Sequence, residues 1–245
     1  MKYTHLTASA GFPLRIAVLS DFHSRTGEMG TDGILEGLAR EKPDLILSPG
    51  DIFNGISESS VREDFNISGL KLLEGAACIA PVFYSIGNHE LGMTGENRRI
   101  LESAGITVLD NEFTRHKHLI IAGLTSGYTM PKHHYQGDPV PSLEIAERLR
   151  QEEGYKILLC HHPEYRDRYL KDEEIHLIVS GHAHGGQWRF GSRGVYAPGQ
   201  GLFPRYVGGL YPGKHGILCV SRGMRNTVKI PRFFNPCEIV ILDLK

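Results

Sequence analysis

The sequence predicts an α/β fold, and three observations favour this class. Short runs of aliphatic and β-branched residues alternate with stretches of helical periodicity along the 245 residues. The runs are too short for typical buried helices and are therefore predicted as strands. Five of them lead into Asp, His or Asn within a few residues. Because ligands of α/β proteins bind beyond the carboxyl ends of the strands, these five loops are expected to meet at one edge.

Seven segments have this strand character. In chain order they are Leu14 to Leu19, Asp44 to Ser48, Pro81 to Ile86, Ile106 to Leu109, His118 to Leu124, Tyr155 to Cys160 and Ile175 to Val179. The fourth and fifth carry no obvious chemistry, and polar motifs follow the other five.

Four segments are predicted as helices. They are Thr31 to Glu41, Ser59 to Gly75, Gly95 to Ser103 and Ser142 to Glu153. In the first, three aliphatic residues recur at helical spacing, and Pro43 prevents the helix from continuing. In the last, Ser142 is predicted as the N-cap, with Glu144 in the first turn.

Length and composition bound the class of protein. With 40% hydrophobic residues, the chain can bury a full core, and a single domain over residues 1–245 is expected. Its 28 acidic and 27 basic residues nearly cancel, so no global charge draws it to nucleic acid or to an anionic membrane, and nucleic acid is not expected as a partner. The four cysteines form no CxxC pair, which argues against a cysteine-bound zinc or a disulfide framework.

The N-terminus and the hydropathy favour a cytoplasmic location. Residues Met1 to Gly11 lack the apolar region of a signal peptide, and no apolar run reaches the roughly 18 residues of a membrane span. No transmembrane segment is therefore expected. Histidine, with 13 residues, is the one compositional excess, and neutral imidazole is the commonest metal ligand.

The most distinctive motif is Gly181-His182-Ala183-His184-Gly185-Gly186-Gln187. Two histidines two residues apart share one side of an extended backbone and can converge on one centre. The flanking glycines allow a sharp turn and a close approach of the backbone to a ligand. The other four motifs are Asp21-Phe22-His23, Gly50-Asp51, Gly87-Asn88-His89-Glu90 and His161-His162-Pro163.

The recurrence of these motifs favours a shared site. A single Asp after a strand is usually a helix cap or turn residue, and a single His is usually solvated or hydrogen-bonded. Five such coincidences are much harder to explain in this way. Carboxylate, imidazole and amide groups without thiolate suit a divalent ion such as Mn, Fe or Zn. The two carboxylate oxygens of Asp51 could bridge two ions.

The five motifs, in this order, resemble those of the calcineurin-like metallophosphoesterases. They span Asp21 to His184. Downstream segments are similar to the bacterial branch that contains YkuE-like and YaeI-like phosphoesterases, so the resemblance covers nearly the whole chain. These segments are Gly185 to Trp188, Pro198 to Pro204, Ser221 to Gly223 and Pro236 to Ile239.

The resemblance implies a four-layer α-β-β-α sandwich, with two mixed sheets flanked by helices. It also implies two divalent metal ions that share Asp51. The first ion would be held by Asp21, His23, Asp51 and His184. The second would be held by Asp51, Asn88, His161 and His182. A hydroxide bridging the ions would attack phosphorus in line, and His89 would protonate or stabilise the leaving oxygen.

Further candidates lie beside these residues. The sequence alone does not say whether His161 or His162 binds metal. The resemblance favours His161, because the family ligand follows the strand directly, with a proline two positions later; His162 is then a neighbour of the ligands or a substrate contact. Arg222 is a candidate contact for the substrate phosphate, with capping of a strand end as the alternative. Glu90 is expected to orient its neighbours. Asn54 stands where many relatives carry Asp.

Two loops have open interpretations. The stretch from Gly201 to Lys214 combines aromatic, aliphatic and basic residues. It could grip an apolar or lipid-linked phosphate or rest on a membrane surface; the favoured alternative is an ordered loop whose aromatics pack on the sheet edge. His133 and His134, in the proline-flanked loop Met130 to Pro141, are the strongest functional candidates among the remaining histidines.

The expected function is metal-dependent hydrolysis of a phosphodiester, on a small-molecule, nucleotide-linked or lipid-linked substrate. A phosphomonoesterase or protein phosphatase is the first alternative, because the same metals and acid serve both reactions. A scaffold without turnover is the second, and it is disfavoured because all seven ligand side chains and His89 are present. The sequence does not predict the native metal pair or the oligomeric state.

Overall fold

Two six-stranded sheets contain most of the aliphatic runs in the computed structural model, which describes residues 1–25, 30–55, 60–63, 66–127, 140–226 and 230–245. The strands are β1 (Lys2–Ala8), β2 (Leu14–Val18), β3 (Leu45–Ser48), β4 (Val82–Ser85), β5 (Ile106–Leu109), β6 (Phe113–His116), β7 (Leu119–Leu124), β8 (Tyr155–Cys160), β9 (Leu177–Ser180), β10 (Arg189–Phe190), β11 (Arg193–Gly194), β12 (Tyr196–Ala197), β13 (Gly201–Leu202), β14 (Gly209–Pro212), β15 (Ile217–Val220) and β16 (Glu238–Leu244). The helices are α1 (Thr31–Glu41), α2 (Ile67–Ala77), α3 (Gly95–Ser103), α4 (Glu144–Arg150) and α5 (Tyr165–Arg168).

Both large sheets are mixed. The first has the strand order β1-β16-β2-β3-β4-β5, and the second has the order β14-β15-β9-β8-β7-β6. Strands β2 to β5 run parallel, as do β7, β8, β9 and β15, whereas the pairs β16–β2, β14–β15 and β6–β7 are antiparallel. The carboxyl ends of β2, β3 and β4 therefore lie side by side, and so do those of β8 and β9.

The alternation of side chains along the strands explains how the layers stack. In β2, Ile16 and Val18 face the second sheet and belong to the same buried cluster as Leu159 of β8. The intervening Ala17 faces the other way and packs in a cluster with Leu38 of α1. The outer face of the second sheet is covered by α4 and α5. Because both faces are buried, the strands are continuous aliphatic runs, and the expected four-layer α-β-β-α arrangement is confirmed.

Most predicted elements agree with the structure, but the bounds of two helices differ. α4 begins at Glu144 and ends at Arg150, before the predicted Glu153. The residue before it, Leu143, forms no side-chain cap, so the prediction of Ser142 as the N-cap was wrong. α2 begins at Ile67, and its predicted start at Ser59 lies outside the described residues. The loop with His133 and His134 also lies outside them.

Candidate metal centre

The five polar motifs meet at the carboxyl ends of β2, β3, β4, β8 and β9. From the first sheet come Asp21 and His23, which follow β2. The ring of His184 reaches them from the second sheet, with its Nε2 atom 3.6 Å from Oδ1 of Asp21. The Nε2 atom of His23 is 3.9 Å from the same oxygen. These three residues offer ligand atoms that lie within 4.8 Å of one another.

Asp51, which follows β3, lies between this group and the histidines of the second sheet. Its Oδ2 atom is 3.7 Å from Nε2 of His23 and 3.1 Å from Nε2 of His161. Asp51 also forms one ligand group with His161 and His182, and another with His23 and His89. A single carboxylate is thus shared by ligand groups on both sides of the centre.

The backbone of these loops is strained. Five of the seven ligand candidates have positive φ values, which cost non-glycine residues about 1–2 kcal/mol each. They are Asp21, His23, Asp51, His182 and His184. His182 and His184 therefore do not lie on an extended strand as predicted; the chain turns sharply, with a short 3₁₀ turn over His184–Gly186. The two rings reach different sides of the centre because of this turn.

Hydrogen bonds from backbone amides offset the free-energy cost of this strain. The amide of His182 donates to Oδ1 of Asp21 at 3.1 Å, and the amide of His89 donates to Oδ1 of Asp51 at 2.9 Å. Gly181 packs so closely on Asp21 that an added Cβ atom would clash with the carboxylate. The glycine before the histidine motif is therefore required for packing between the two sheets at this point.

Glu90 joins the loops after β3 and β4. It is fully buried, and its carboxylate accepts backbone hydrogen bonds at 2.9 Å from Asp51, Phe53 and Gly87. Burial and the nearby charge of Asp51 raise the pKa of Glu90 above its ordinary value. The expected orienting role of Glu90 thus has a structural basis in these three contacts.

The adjacent residues His161 and His162 have different surroundings. Nδ1 of His161 lies 3.0 Å from the carbonyl oxygen of Pro49, which can accept a hydrogen bond from the Nδ1–H group. The other ring nitrogen, Nε2, then faces Asp51. Nε2 of His162 lies 2.7 Å from Oγ of Ser126, and Nδ1 lies 3.4 Å from Glu164. His162 is fully buried and stacks on Tyr165.

Three atoms at the centre meet the requirements of metal ligands. His23 Nε2, Asn88 Oδ1 and His161 Nε2 are buried and have no hydrogen-bond partner among the described residues. Buried polar atoms are rarely left without a partner, and a bound cation satisfies such atoms. Carboxylate, imidazole and amide donors in one place fit divalent ions of the Mn, Fe or Zn type.

Comparison with known proteins decides the family. The profile of the calcineurin-like phosphoesterases matches residues 14–186, well over half of the chain. The chain belongs to the calcineurin-like phosphoesterase family. The family assigned from the motifs is thereby confirmed, and this phosphoesterase is a metal-dependent phosphoester hydrolase of a family that uses a dinuclear divalent metal centre.

Individual relatives are similar over most of the chain. Phosphodiesterase YaeI of Escherichia coli (strain K12) is 30% identical over 249 residues, which cover 95% of this chain and 82% of YaeI. The uncharacterized protein YpbG of Bacillus subtilis (strain 168) is 30% identical over 192 residues, covering 77% of this chain and 68% of YpbG. The crystal structure of the calcineurin-like phosphoesterase YfkN from Bacillus subtilis aligns with 93% of this chain and 80% of its own, at 15% identity and a TM-score of 0.48.

The electrostatics of the phosphoesterase site favour anionic carboxylates. Burial acts to raise the pKa of Asp51, but His161 and His89 outweigh it and hold the pKa well below its usual range. Burial lowers the pKa of His184 to about 4 and holds that of His182 well below its ordinary value. Both rings are therefore neutral near pH 7, which is the form that binds metals.

His89 sits at the edge of the centre and lines its cavity. Its Nδ1 atom is 2.8 Å from Oδ1 of Asn54, and its ring meets that of His23 edge-on, with centroids 4.6 Å apart. Asn54 is thus the partner of His89. Its amide oxygen supplies an acceptor without a formal charge.

Arg222 occupies a different environment. Its guanidinium pairs with the carboxylate of Glu238 and lies 3.2 Å from Oγ1 of Thr4. Its backbone amide also donates to Glu238, at 3.0 Å. These contacts match the strand-end alternative for Arg222. Arg232 lies 3.1 Å from Nδ1 of His184 and could not be predicted as a site residue, because no motif marks it in the sequence.

A cavity of about 550 Å³ opens above the centre. Its lining includes the polar candidates Asp51, Asn88, His89, His182 and His184. It also includes Trp188, Val195, Tyr196, Pro198 and Ile230. The cavity therefore brings metal-ligand candidates together with a largely apolar wall. Among the described residues, the phosphoesterase has no helix long and apolar enough to cross a membrane.

Proposed function

We propose that the chain hydrolyses phosphodiesters with two divalent metal ions. The observation that carries the proposal is the position of Asp51, which shares ligand groups with His23 on one side and with His161 and His182 on the other. A bridging carboxylate between two sets of donors is the arrangement that holds a metal pair.

The ligand assignment follows the sequence resemblance and is supported by the contacts. The first ion would be held by Asp21, His23, Asp51 and His184, and the second by Asp51, Asn88, His161 and His182. When bound, the ions would supply Lewis acidity toward the phosphoryl oxygens and lower the pKa of water. His161 is preferred over His162 because His161 faces Asp51, whereas His162 contacts Ser126 and Glu164.

His89 is proposed as the catalytic acid. The amide oxygen of Asn54 can only accept a hydrogen bond, so Nδ1 carries the proton in neutral His89. Nε2 is then the atom that can hold a proton or give it to a leaving oxygen in the cavity. His162 stays a candidate for holding His182, since their ring centroids are 4.1 Å apart.

A diester is favoured over a monoester by the wall of the cavity. Among the described residues that line it, none is Lys or Arg, and apart from the polar candidates the lining is mostly apolar. A monoester dianion lacks the second organic group that such a wall can contact, whereas a diester carries one. The name of the relative YaeI, a phosphodiesterase, supports the same choice.

The test compares turnover and metal content in one variant. In Asp51→Ala, the shared carboxylate is lost, so we expect the metal content to fall and kcat/KM for an aryl phosphodiester to drop at least about 10³-fold. Asp32→Ala, at an exposed position in α1, is the matched control. Near-normal turnover by metal-loaded Asp51→Ala would contradict the proposal.

The monoesterase alternative is tested on the wild-type protein. Initial rates on an aryl phosphomonoester and an aryl phosphodiester are compared at equal metal loading with Mn. A higher kcat/KM for the diester is expected. A clear preference for the monoester would replace the proposed substrate class and leave the metal centre in place.

A further inference from the structure

The charge of the chain is unevenly distributed along the sequence. From Ile175 to Cys237 there is no Asp or Glu, whereas the same segment contains eight Lys and Arg residues. All 28 acidic residues lie outside it. The near-neutral net charge therefore hides one strongly basic segment, and that segment begins just before the histidine motif.

The same segment carries most of the exposed apolar side chains. Ten large hydrophobic residues are exposed in the described part of the chain, and eight of them lie between Trp188 and Phe234. Five of the eight project beyond the cavity: Phe190, Leu202, Phe203, Phe233 and Phe234. Phe203 and Phe234 are both 79% exposed. Monomeric proteins seldom leave such groups together in water without a function.

Contacts between the loops bring these residues into one surface. The indole of Trp188 donates a hydrogen bond to the carbonyl oxygen of Pro231 at 3.0 Å, and its ring centroid is 6.0 Å from that of Phe233. Leu202 pairs with Tyr196 across the β12–β13 ribbon. We call this surface, with Phe190, Leu202, Phe203, Phe233 and Phe234 at its projecting positions, the apolar face.

The apolar face is continuous with the proposed active site. Trp188, Tyr196 and Ile230 are exposed and also line the cavity above the metal-ligand candidates. Arg193, also exposed, is paired with Phe190 across the β10–β11 ribbon. A basic side chain thus accompanies the apolar ones at the rim.

We propose that the apolar face docks on an anionic phospholipid bilayer and presents the cavity to a phosphodiester held in that membrane. Aromatic and aliphatic side chains on projecting loops can enter the interfacial region of a bilayer, while basic residues are attracted to anionic headgroups. Hydrolysis of a phosphodiester in the membrane rests on the proposed function, whereas docking of the apolar face on the bilayer does not.

A bilayer fits the apolar face better than single-stranded nucleic acid does. Base recognition needs aromatic platforms with available cations along a groove. Here Leu202 is 70% exposed and adds aliphatic surface, which offers no stacking. The guanidinium groups of Arg189 and Arg222 are held in contacts within the protein, to Val207 and Glu238 respectively, so the proposed attraction to anionic headgroups depends on exposed groups such as Arg193.

The stretch from Gly201 to Lys214 accordingly divides into two parts. Tyr206 is buried, and its hydroxyl donates to Asp167 at 2.8 Å, as an ordered packing loop would require. Leu202 and Phe203 point into solvent on the apolar face. The packing interpretation therefore holds for Tyr206, and the docking proposal concerns only Leu202 and Phe203.

The test measures co-sedimentation with vesicles of phosphatidylcholine alone or mixed with phosphatidylglycerol. Wild-type protein should bind the mixed vesicles and bind them less at high salt. The double variant Phe203→Ser/Phe234→Ser should lose at least about tenfold in vesicle partitioning, because two large apolar groups no longer enter the interface. Arg193→Glu should weaken binding to the mixed vesicles only.

Matched controls separate docking from general effects of substitution. Val140→Ser removes an apolar side chain that is 65% exposed elsewhere, and Arg99→Glu reverses an exposed charge in α3; both should bind as wild type does. Thermal melting reports whether the double variant is folded. If it is not folded, the proposal is judged from vesicle binding by Arg193→Glu and from the salt dependence of wild-type binding.

Three results would overturn the proposal: no binding of wild type to mixed vesicles, equal binding by folded Phe203→Ser/Phe234→Ser and Val140→Ser, or binding to a single-stranded oligonucleotide in place of vesicles. Turnover of a soluble aryl diester is measured separately. Its absence in metal-loaded wild-type protein would contradict the proposed function without affecting vesicle binding.

Discussion

Asn54 and His89 form a pair in which one side chain can set the tautomer of the other. We infer that the 2.8 Å contact between Oδ1 of Asn54 and Nδ1 of His89 selects the tautomer that the proposed acid role requires. Asn54 itself does not line the cavity. Asn54 is therefore proposed as a positioning residue that acts on catalysis through His89.

We predict that Asn54→Leu lowers kcat for a diester about tenfold or more, because the ring of His89 loses its fixed orientation and tautomer. KM and the metal content should change little, since Asn54 is not one of the proposed metal ligands. Steady-state kinetics and elemental analysis check both. Asn54→Asp, which keeps an acceptor, should recover most of the activity; equal kinetics in Asn54→Leu and wild type would exclude the positioning role.

The loops after β3 and β4 show how neighbouring elements are held in register. Glu90 accepts amide protons from both loops, and so fixes Asp51 relative to His89. The strands alone do not define the distance between Asp51 and His89, because neighbouring parallel strands can end at different positions along the strand direction. A single buried carboxylate therefore couples the proposed bridging ligand to the proposed acid.

Replacing Glu90 by Ala should destabilise the protein by about 3 kcal/mol or more, because three buried amide groups lose their acceptor. Equilibrium urea unfolding measures this loss. Glu96→Ala removes an exposed carboxylate in the first turn of α3 and should cost less than about 1 kcal/mol. Similar midpoints for the two variants would show that the contacts of Glu90 contribute no net stability.

The bounds of many helices and strands could be predicted from the sequence. Buried strands such as β8 are continuous aliphatic runs, and α1 and α3 have clear ends, so their boundaries could be predicted. β1 could not, because it is an edge strand whose residues are mostly exposed or half-buried, which leaves a weak pattern. The positive φ values of His182 and His184 were also missed, because tertiary packing imposes them on residues that can adopt extended backbone equally well.

At the scale of the whole molecule, the two large sheets are also connected by the ion pair between Arg222 and Glu238. Arg222 follows β15 of the second sheet, whereas Glu238 and Thr4 belong to β16 and β1 of the first. Burial acts to raise the pKa of Glu238, but hydrogen bonds from Arg222 and Thr4 outweigh it and lower the pKa below its ordinary value. The pair thus connects the two sheets through a charge that is stabilised only in the folded state.

This pair predicts a specific pH dependence of stability. Because the folded-state pKa of Glu238 is depressed, its contribution is fully present above the unfolded pKa and is lost as pH falls through the folded pKa. Glu238→Gln should therefore be less stable than wild type at pH 7, and the difference should shrink under acidic conditions. Urea unfolding at a series of pH values checks this; a difference that is constant with pH would contradict it.

The position of the metal-ligand candidates across the seam between the sheets has a kinetic consequence. Asp21, His23 and Asp51 come from one sheet, and His161, His182 and His184 come from the other. Bound ions would therefore be among the first contacts to break when the sheets separate and the last to form when they dock. We expect added Mn to slow unfolding in denaturant while leaving the refolding rate nearly unchanged, as for interactions absent from the transition state. Chelation would then shorten the lifetime of the folded protein without altering how fast it folds, and stopped-flow chevron plots with and without metal would separate the two rates.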